Sequence, residues 1–180
     1  MVKDEEKELI RKLKKGNEEA YRQLLDRYGS RLIKTCFLVL KDESEAEDVV
    51  QETFIKLFGQ IHLFKGKSSL YTWIYRIALN LCKDRIRARK EFAIYEDTIE
   101  SNEGVEDIVF DAIDRELIRR ELSNLNNIYK EVLILFYFEE LSIKEISEIL
   151  EEKEGTIKSR LSRGRVILRD AIRKGGEFNG

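Results

Sequence analysis

The chain has 180 residues, 42% hydrophobic and 38% charged, with no proline and a formal net charge of −2. That length holds one domain or two small ones, and the apolar share suffices for real cores under a densely charged surface. No apolar run reaches the ~18 residues of a membrane span. The opening MVKDEEKELIRKLKK is charged and amphipathic rather than signal-like, so the chain is expected to act in the cytoplasm.

Helical periodicity runs through most of the chain, and an all-α protein is the expectation. Asn17, after Gly16, is placed to cap a helix running through Ala20, Leu24, Leu25 and Tyr28 and on from Leu32 to Leu40. Ser44 and Glu47 form an S-x-x-E pattern, predicting a capping box for a helix from Glu45 to Gly59. Its inward stripe is Ala46, Val49, Val50, Thr53, Phe54, Leu57 and Phe58. The segment QIHLFKGKSS follows, with Gly66 as a turn residue and two serines as candidate caps. A helix from Ser69 to Lys90 then buries Leu70, Ile74, Ile77 and Leu81.

From Glu91 to Asp114 the chain carries nine acids and no base, which predicts a flexible acidic linker. Removing those nine charges from a total of −2 leaves +7 on the remainder. The positive charge gathers in two runs. One is Lys83, Arg85, Arg87, Arg89 and Lys90; the other starts at Lys158 and ends at Lys174.

Beyond the linker, Leu117–Leu122 begins a helix. Asn126 or Asn127 caps the next, with Leu125, Ile128, Val132, Leu135 and Phe136 inward. Ser142 with Glu145 makes a second capping box, for a helix lined by Ile143, Ile146, Ile149 and Leu150. Gly155 is expected in a tight turn and Thr156 as the cap of a long final helix, before a fraying tail KGGEFNG. In that last helix Ile157, Leu161, Gly164, Leu168 and Ile172 share one face, while Lys158, Ser159, Ser162, Arg163, Arg165 and Arg169 fall elsewhere. Two such helices joined by a short turn read as a helix-turn-helix whose second member lies on DNA.

The organisation predicted is therefore two small helical domains, residues 1–90 and 115–175, joined by the acidic flexible linker 91–114, the second with the helix-turn-helix. Three faces carry chemistry. The first is the basic final helix. The second is the strip Arg76, Asn80, Lys83 and Arg87, preceded by His62, Phe64, Lys65, Lys67, Tyr71 and Trp73. Basic residues beside exposed aromatics suit single-stranded DNA. The third is the acidic strip Glu45, Asp48, Gln51 and Glu52, which suits a basic helical partner. Each has a plainer reading: a basic helix C-terminus favoured by the dipole, a solvated strip with its aromatics in the core, and a solvated acidic face.

Cys36 and Cys82 lack CxxC spacing and read as reduced core thiols; His62 lacks partners for a zinc site. No metal, cofactor, small-molecule substrate or catalytic set is indicated. Asp48 and Glu52 share a face, but a metal-dependent nuclease needs a third ligand that the sequence does not offer. The other competing reading is a conventional helix-turn-helix transcription regulator with an N-terminal sensor or dimerisation domain, binding duplex DNA without polymerase.

The segments EAEDVVQETFIKLF, SSLYTWIYRIALNLCKDRIR and EGTIKSRLSRGR, in this order and spacing, resemble the bacterial RNA polymerase sigma factors of the extracytoplasmic-function type. The resemblance covers nearly everything outside linker and tail. It implies an alternative sigma factor rather than an enzyme, with core RNA polymerase and promoter DNA as partners and an anti-sigma factor as a further one. It places Asp48, Gln51 and Glu52 against a coiled coil of the largest polymerase subunit. It assigns the minus-ten element to His62, Phe64, Lys65, Lys67, Ser68, Tyr71, Arg76, Asn80, Lys83, Asp84 and Arg87, with an unpaired base entering the loop from His62 to Ser69. The minus-thirty-five element falls to Thr156, Lys158, Ser159, Ser162 and Arg163, with Arg160 or Arg165 on phosphates. The linker would thread the RNA path of the polymerase. Many relatives carry prolines where this chain has Asn126 and Glu154, which looks to loosen those two corners.

Overall fold

The structure, a computed structural model, describes residues 2–93 and 112–177, and every described element is helical. Helices α1 (Val2–Lys14), α2 (Glu18–Leu40) and α3 (Glu43–Gln60), a 3-10 turn (Ile61–Leu63) and α4 (Leu70–Ala93) make the first unit. The second contains α5 (Ala112–Asn124), α6 (Asn127–Leu133), a π-helical stretch (Ile134–Phe138), α7 (Ile143–Leu150) and α8 (Glu154–Glu177). Most of the acidic segment 91–114 lies outside the described residues. Its two ends do not behave as linker: α4 continues to Ala93, and α5 already begins at Ala112. At the other end α8 continues through Gly175 and Gly176 to Glu177, past the point where fraying was expected.

Asn17 caps α2 as expected, its side chain accepting from the Ala20 amide at 2.9 Å. The predicted Ser44 box does not form. Lys41 (φ 62) closes α2 in the left-handed region, its amide bonded to the Phe37 carbonyl at 2.8 Å. Only Asp42 is then left to enter α3, and Asp42 caps it by accepting from Glu45 at 2.8 Å. Ala46, Val49, Val50, Thr53, Phe54 and Leu57 are buried against α2 and α4, and Phe58 stands partly buried at the edge of that core. Burying each large apolar side chain contributes about 1.5–3 kcal/mol, so this stripe holds α3 in place far more firmly than its cap does.

In the second unit Asn126 is the cap of α6, and Ser142 with Glu145 forms the reciprocal box on α7. Gly155 does not make the turn and Thr156 does not cap. Glu151 takes the left-handed conformation (φ 57), and the amide of Glu152 reaches the Ser147 carbonyl at 3.1 Å. Those bonds satisfy the end of α7 without a glycine. Helix α8 then starts at Glu154, with Gly155 and Thr156 in its first turn. Ile157 and Leu161 are buried, as are Ile146, Ile149 and Leu150 of α7. Gly164 faces α6 so closely that a Cβ there would sit 3.2 Å from Leu133 Cδ1 and 3.3 Å from Tyr129 Cβ. This absence of a side chain lets α8 lie against α6 and turns its basic side outward. Ile128, expected inward, is exposed beside that helix instead.

The two units are docked. Glu139, which follows the π stretch, reaches into the first unit and is 6% exposed. It accepts hydrogen bonds from the hydroxyls of Thr35, Tyr71 (2.7 Å) and Tyr75 (2.8 Å) and pairs with Arg31 at 3.0 Å.

Candidate nucleic-acid interface

The outer side of α8 is open. Lys158, Ser159, Ser162, Arg163 and Arg165 are exposed, and Thr156 is half-buried at the start of the helix. Thr156, Ser159, Arg160 and Arg163 line an open hollow together with Ile128 and Tyr129 of α6. Two donors, two hydroxyls and an apolar wall thus face one shallow depression, a chemistry suited to base edges and thymine methyls. Arg160 differs from its neighbours. It is half-buried, and its guanidinium pairs with Glu152 at 2.6 Å. That pair fixes the connection between α7 and α8 and takes up part of the charge expected for a phosphate.

The strip on α4 is divided. Asn80, Asp84 and Arg87 are exposed, the last two paired at 3.4 Å. Arg76 instead donates through Nε to the Glu148 carbonyl at 3.0 Å and lies 3.6 Å from the Glu151 carboxylate. Lys83 pairs with Glu131 at 3.5 Å. Burial raises the Glu131 pKa, and the Lys83 ammonium works against that. Both cations are therefore engaged by groups of the second unit.

The aromatics correct the expectation of an exposed stacking platform. Phe64 is buried, with its ring 5.1 Å from that of the half-buried Trp73. Tyr71 stacks on Tyr75 at 4.3 Å and gives its hydroxyl to Glu139. Burial pushes both phenols well above the usual tyrosine range, so they stay protonated as donors. What remains outside is His62, Leu63, Lys65, Gly66 and Lys67, with Ser68 half-buried. Gly66 adopts φ +69, a left-handed turn that brings the two lysines to the tip of the loop.

The acidic strip on α3 is also divided. Glu45 is held by Arg89 at 3.0 Å, and Glu52 by Lys56 at 3.0 Å and Arg85 at 3.3 Å. The Lys56 hydrogen bond is the main reason the Glu52 pKa falls. Asp48 and Gln51 stay exposed between them. Among the described residues no group of three His, Cys, Asp or Glu is placed to hold a metal ion, and no helix is long and apolar enough to cross a membrane. Cys36 and Cys82 are both buried free thiols.

Sequence reasoning missed the Glu139 cluster. Its only signal is a glutamate directly after the aromatic run FYF, which nothing in periodicity marks as buried. It also missed the role of α1, described below.

Two family descriptions match the chain: Sigma-70 region 2 over residues 24–92, and Sigma-70, region 4 over residues 115–168. The chain is 37% identical to the ECF RNA polymerase sigma factor SigW of Bacillus subtilis, over 93% of this chain and 96% of the relative. It is 30% identical to the ECF RNA polymerase sigma-E factor of Haemophilus influenzae, over 91% and 93%. Among solved structures, the sigma factor RpoE of Bartonella quintana, in complex with the anti-sigma factor NepR, superposes with a TM-score of 0.77 at 24% identity, over 85% of this chain and 96% of that one. CnrH in complex with the cytosolic domain of CnrY gives 0.71 at 23%, over 94% and 97%. At those identities the two structures speak for the fold.

Proposed function

The chain belongs to the sigma-70 family, in its extracytoplasmic-function branch, and from that premise we propose how its surfaces divide the work. As an alternative sigma factor it binds core RNA polymerase and directs promoter-specific initiation. The polymerase-facing surface is α3, through Asp48, Gln51 and Glu52. The first two are exposed, and the third is held ready by Lys56 and Arg85. The minus-ten element, once unpaired, meets the loop His62–Ser69 and the strip of α4. The hydroxyl-rich, cationic side of α8 reads the minus-thirty-five element as duplex. The protein contributes binding and strand separation, not covalent chemistry, and acts in the cytoplasm. The anti-sigma factor NepR bound to the Bartonella quintana neighbour supports a protein of that kind as a third partner here.

One observation carries this reading: the two cationic surfaces and the residual acidic one lie on three different helices, each with side chains left facing outward. The test is Asp48→Arg. The position is exposed and outside the core, so the helical content and melting midpoint are expected to stay unchanged while association with core polymerase is lost. Normal co-purification of the variant with core enzyme removes α3 from the assignment.

A further inference from the structure

Helix α1 lies ahead of the residues matched by the region 2 description, which begins at residue 24. It grips both ends of the loop that leads into α4. Lys14 Nζ donates to the Phe64 carbonyl at 2.8 Å. Glu6 Oε1 accepts from the Leu70 backbone amide at 2.7 Å. Eight residues separate the two on α1, about 12 Å along its axis. Between them Leu13 is buried in the core with Ile61 and Phe64. Helix α1 thus acts as a brace laid along the base of the loop.

Each contact answers a local physical need. The first amides of a helix have no partner within it. At α4 the Leu70 amide goes to Glu6 and the Thr72 amide to the Ser69 hydroxyl at 3.0 Å. A carboxylate at this end also meets the positive pole of the helix. At the other end the Phe64 carbonyl stands where the 3-10 turn has just closed on Ile61, and Lys14 supplies a charged donor. Lys65, Gly66 and Lys67 bow outward between these two anchor points.

We propose that Glu6 and Lys14 are positioning residues for the minus-ten loop. They fix its ends, so that Lys65, Lys67 and the serines are already ordered when the unpaired promoter strand arrives. This rests on the assignment of the loop to the minus-ten element made above. The gain is one of preorganisation: a braced loop loses less conformational freedom on binding than a slack one. Both side chains are spent on backbone groups at the ends of the loop. Glu6 faces inward at the helix start and would repel a phosphate if it were free.

The experiment uses holoenzyme assembled from the full chain and core polymerase, with a fluorescent single-stranded non-template minus-ten oligonucleotide as probe. The variants are Glu6→Ala and Lys14→Ala. Glu6→Asp serves as a shorter acid that keeps charge and fold but falls short of Leu70, and Lys14→Arg as the conservative rescue. The expected result is about tenfold weaker binding of the probe, equivalent to about 1.4 kcal/mol. Amide exchange at Leu70 and through the loop should quicken, Lys14→Arg should restore both, and association with core enzyme should not change. Loops that exchange faster yet bind the probe with undiminished affinity overturn the proposal and leave α1 a merely structural brace. Lys65→Ala and Lys67→Ala separate the two levels. If these weaken probe binding and the α1 variants do not, positioning alone fails; if they too have no effect, the loop assignment fails and the proposal with it.

Discussion

Helices α4 and α8 carry similar charge but stand in different company. On α8 the cations that face outward are packed from behind, by α5, α6 and α7, and the small Gly164 sets the approach to α6. On α4 two of the four strip residues, Arg76 and Lys83, are already bonded to the second unit, through the Glu148 carbonyl, Glu151 and Glu131. These are oxygen acceptors in front of a guanidinium and an ammonium, the pairing a DNA phosphate would otherwise make. Engaging DNA through those two residues therefore requires the docked contacts to break first, whereas α8 can meet duplex as it stands. Two cations of the strip proposed for single-stranded DNA are thus occupied by the unit proposed to read duplex, while Asn80 and Arg87 stay exposed.

The largest expected effect belongs to Glu139, because it is the buried point of that docking. Glu139→Lys replaces an acceptor of three hydroxyls with a cation beside Arg31. Arg31 is half exposed, so the ion pair itself adds little, but stranding three hydroxyls around an unpartnered buried cation costs about 3 kcal/mol, or roughly a hundredfold in the docked-to-open ratio. The radius of gyration from solution scattering should rise, and binding of a minus-ten single strand by the free chain should strengthen. A variant that stays as small as the parent shows that other contacts hold the units together and breaks the contrast between the two helices.

Most elements were legible in the sequence because burial periodicity survives any tertiary context. The stripes of α3, α7 and α8 are buried where the spacing of Val49, Ile146 and Ile157 places them. Helix ends were less legible, since several residues compete for each cap. Asp42 displaced Ser44 once Lys41 had closed α2, and Glu151 took a left-handed turn that glycine statistics assign to Gly155. A non-glycine residue there costs roughly 1–2 kcal/mol, and the bonds to the Ser147 carbonyl offset it. The site residues divide in the same way. Exposed polar positions such as Asn80, Lys158 and Ser162 follow from facing away from a core. The burial of Phe64 and the diversion of Tyr71, Arg76 and Lys83 depend on partners far away in the chain, such as Glu148, 72 residues from Arg76. No local pattern carries that information.

The second effect in size sharpens the contrast from the open side. Arg163→Ala should weaken minus-thirty-five duplex binding by about 1–3 kcal/mol if the guanidinium reads a base, and the loss should vary with the sequence of the element. Because Arg163 is exposed on α8 in the docked chain, the same loss is expected in the Glu139→Lys background, within the ~0.3–0.5 kcal/mol to which independent sites add. Binding isotherms on matched and mismatched duplexes decide it. A loss that is uniform over all sequences makes Arg163 a phosphate contact. A loss that changes when the units are opened means α8 is not independent of the docking.

The smallest effect is a shift in titration, and it reads the boundary from the α2 side. Lys130 of α6 is buried, and its pKa is lowered to about 8, first by burial and then by the Lys41 ammonium at the end of α2; Glu131 acts in the opposite sense. Lys41 is held near by a hydrogen bond to Asn124 at 3.3 Å. A lysine whose folded pKa lies below the ordinary ~10.4 favours the uncharged form in the native state. Its protonation therefore works against folding at neutral pH, and that cost is relieved as pH rises from about 8 toward ~10.4. Stability of the parent chain should climb through this window, and Lys130→Met should flatten the climb. Lys41→Ala removes one cation from across the boundary, so the midpoint of Lys130, followed by its side-chain carbon resonance, should move upward from about 8. Opening the chain with Glu139→Lys should move it the same way. A midpoint indifferent to both changes means that Lys130 senses only its own unit, and that α2 and α6 do not meet in solution as they do here.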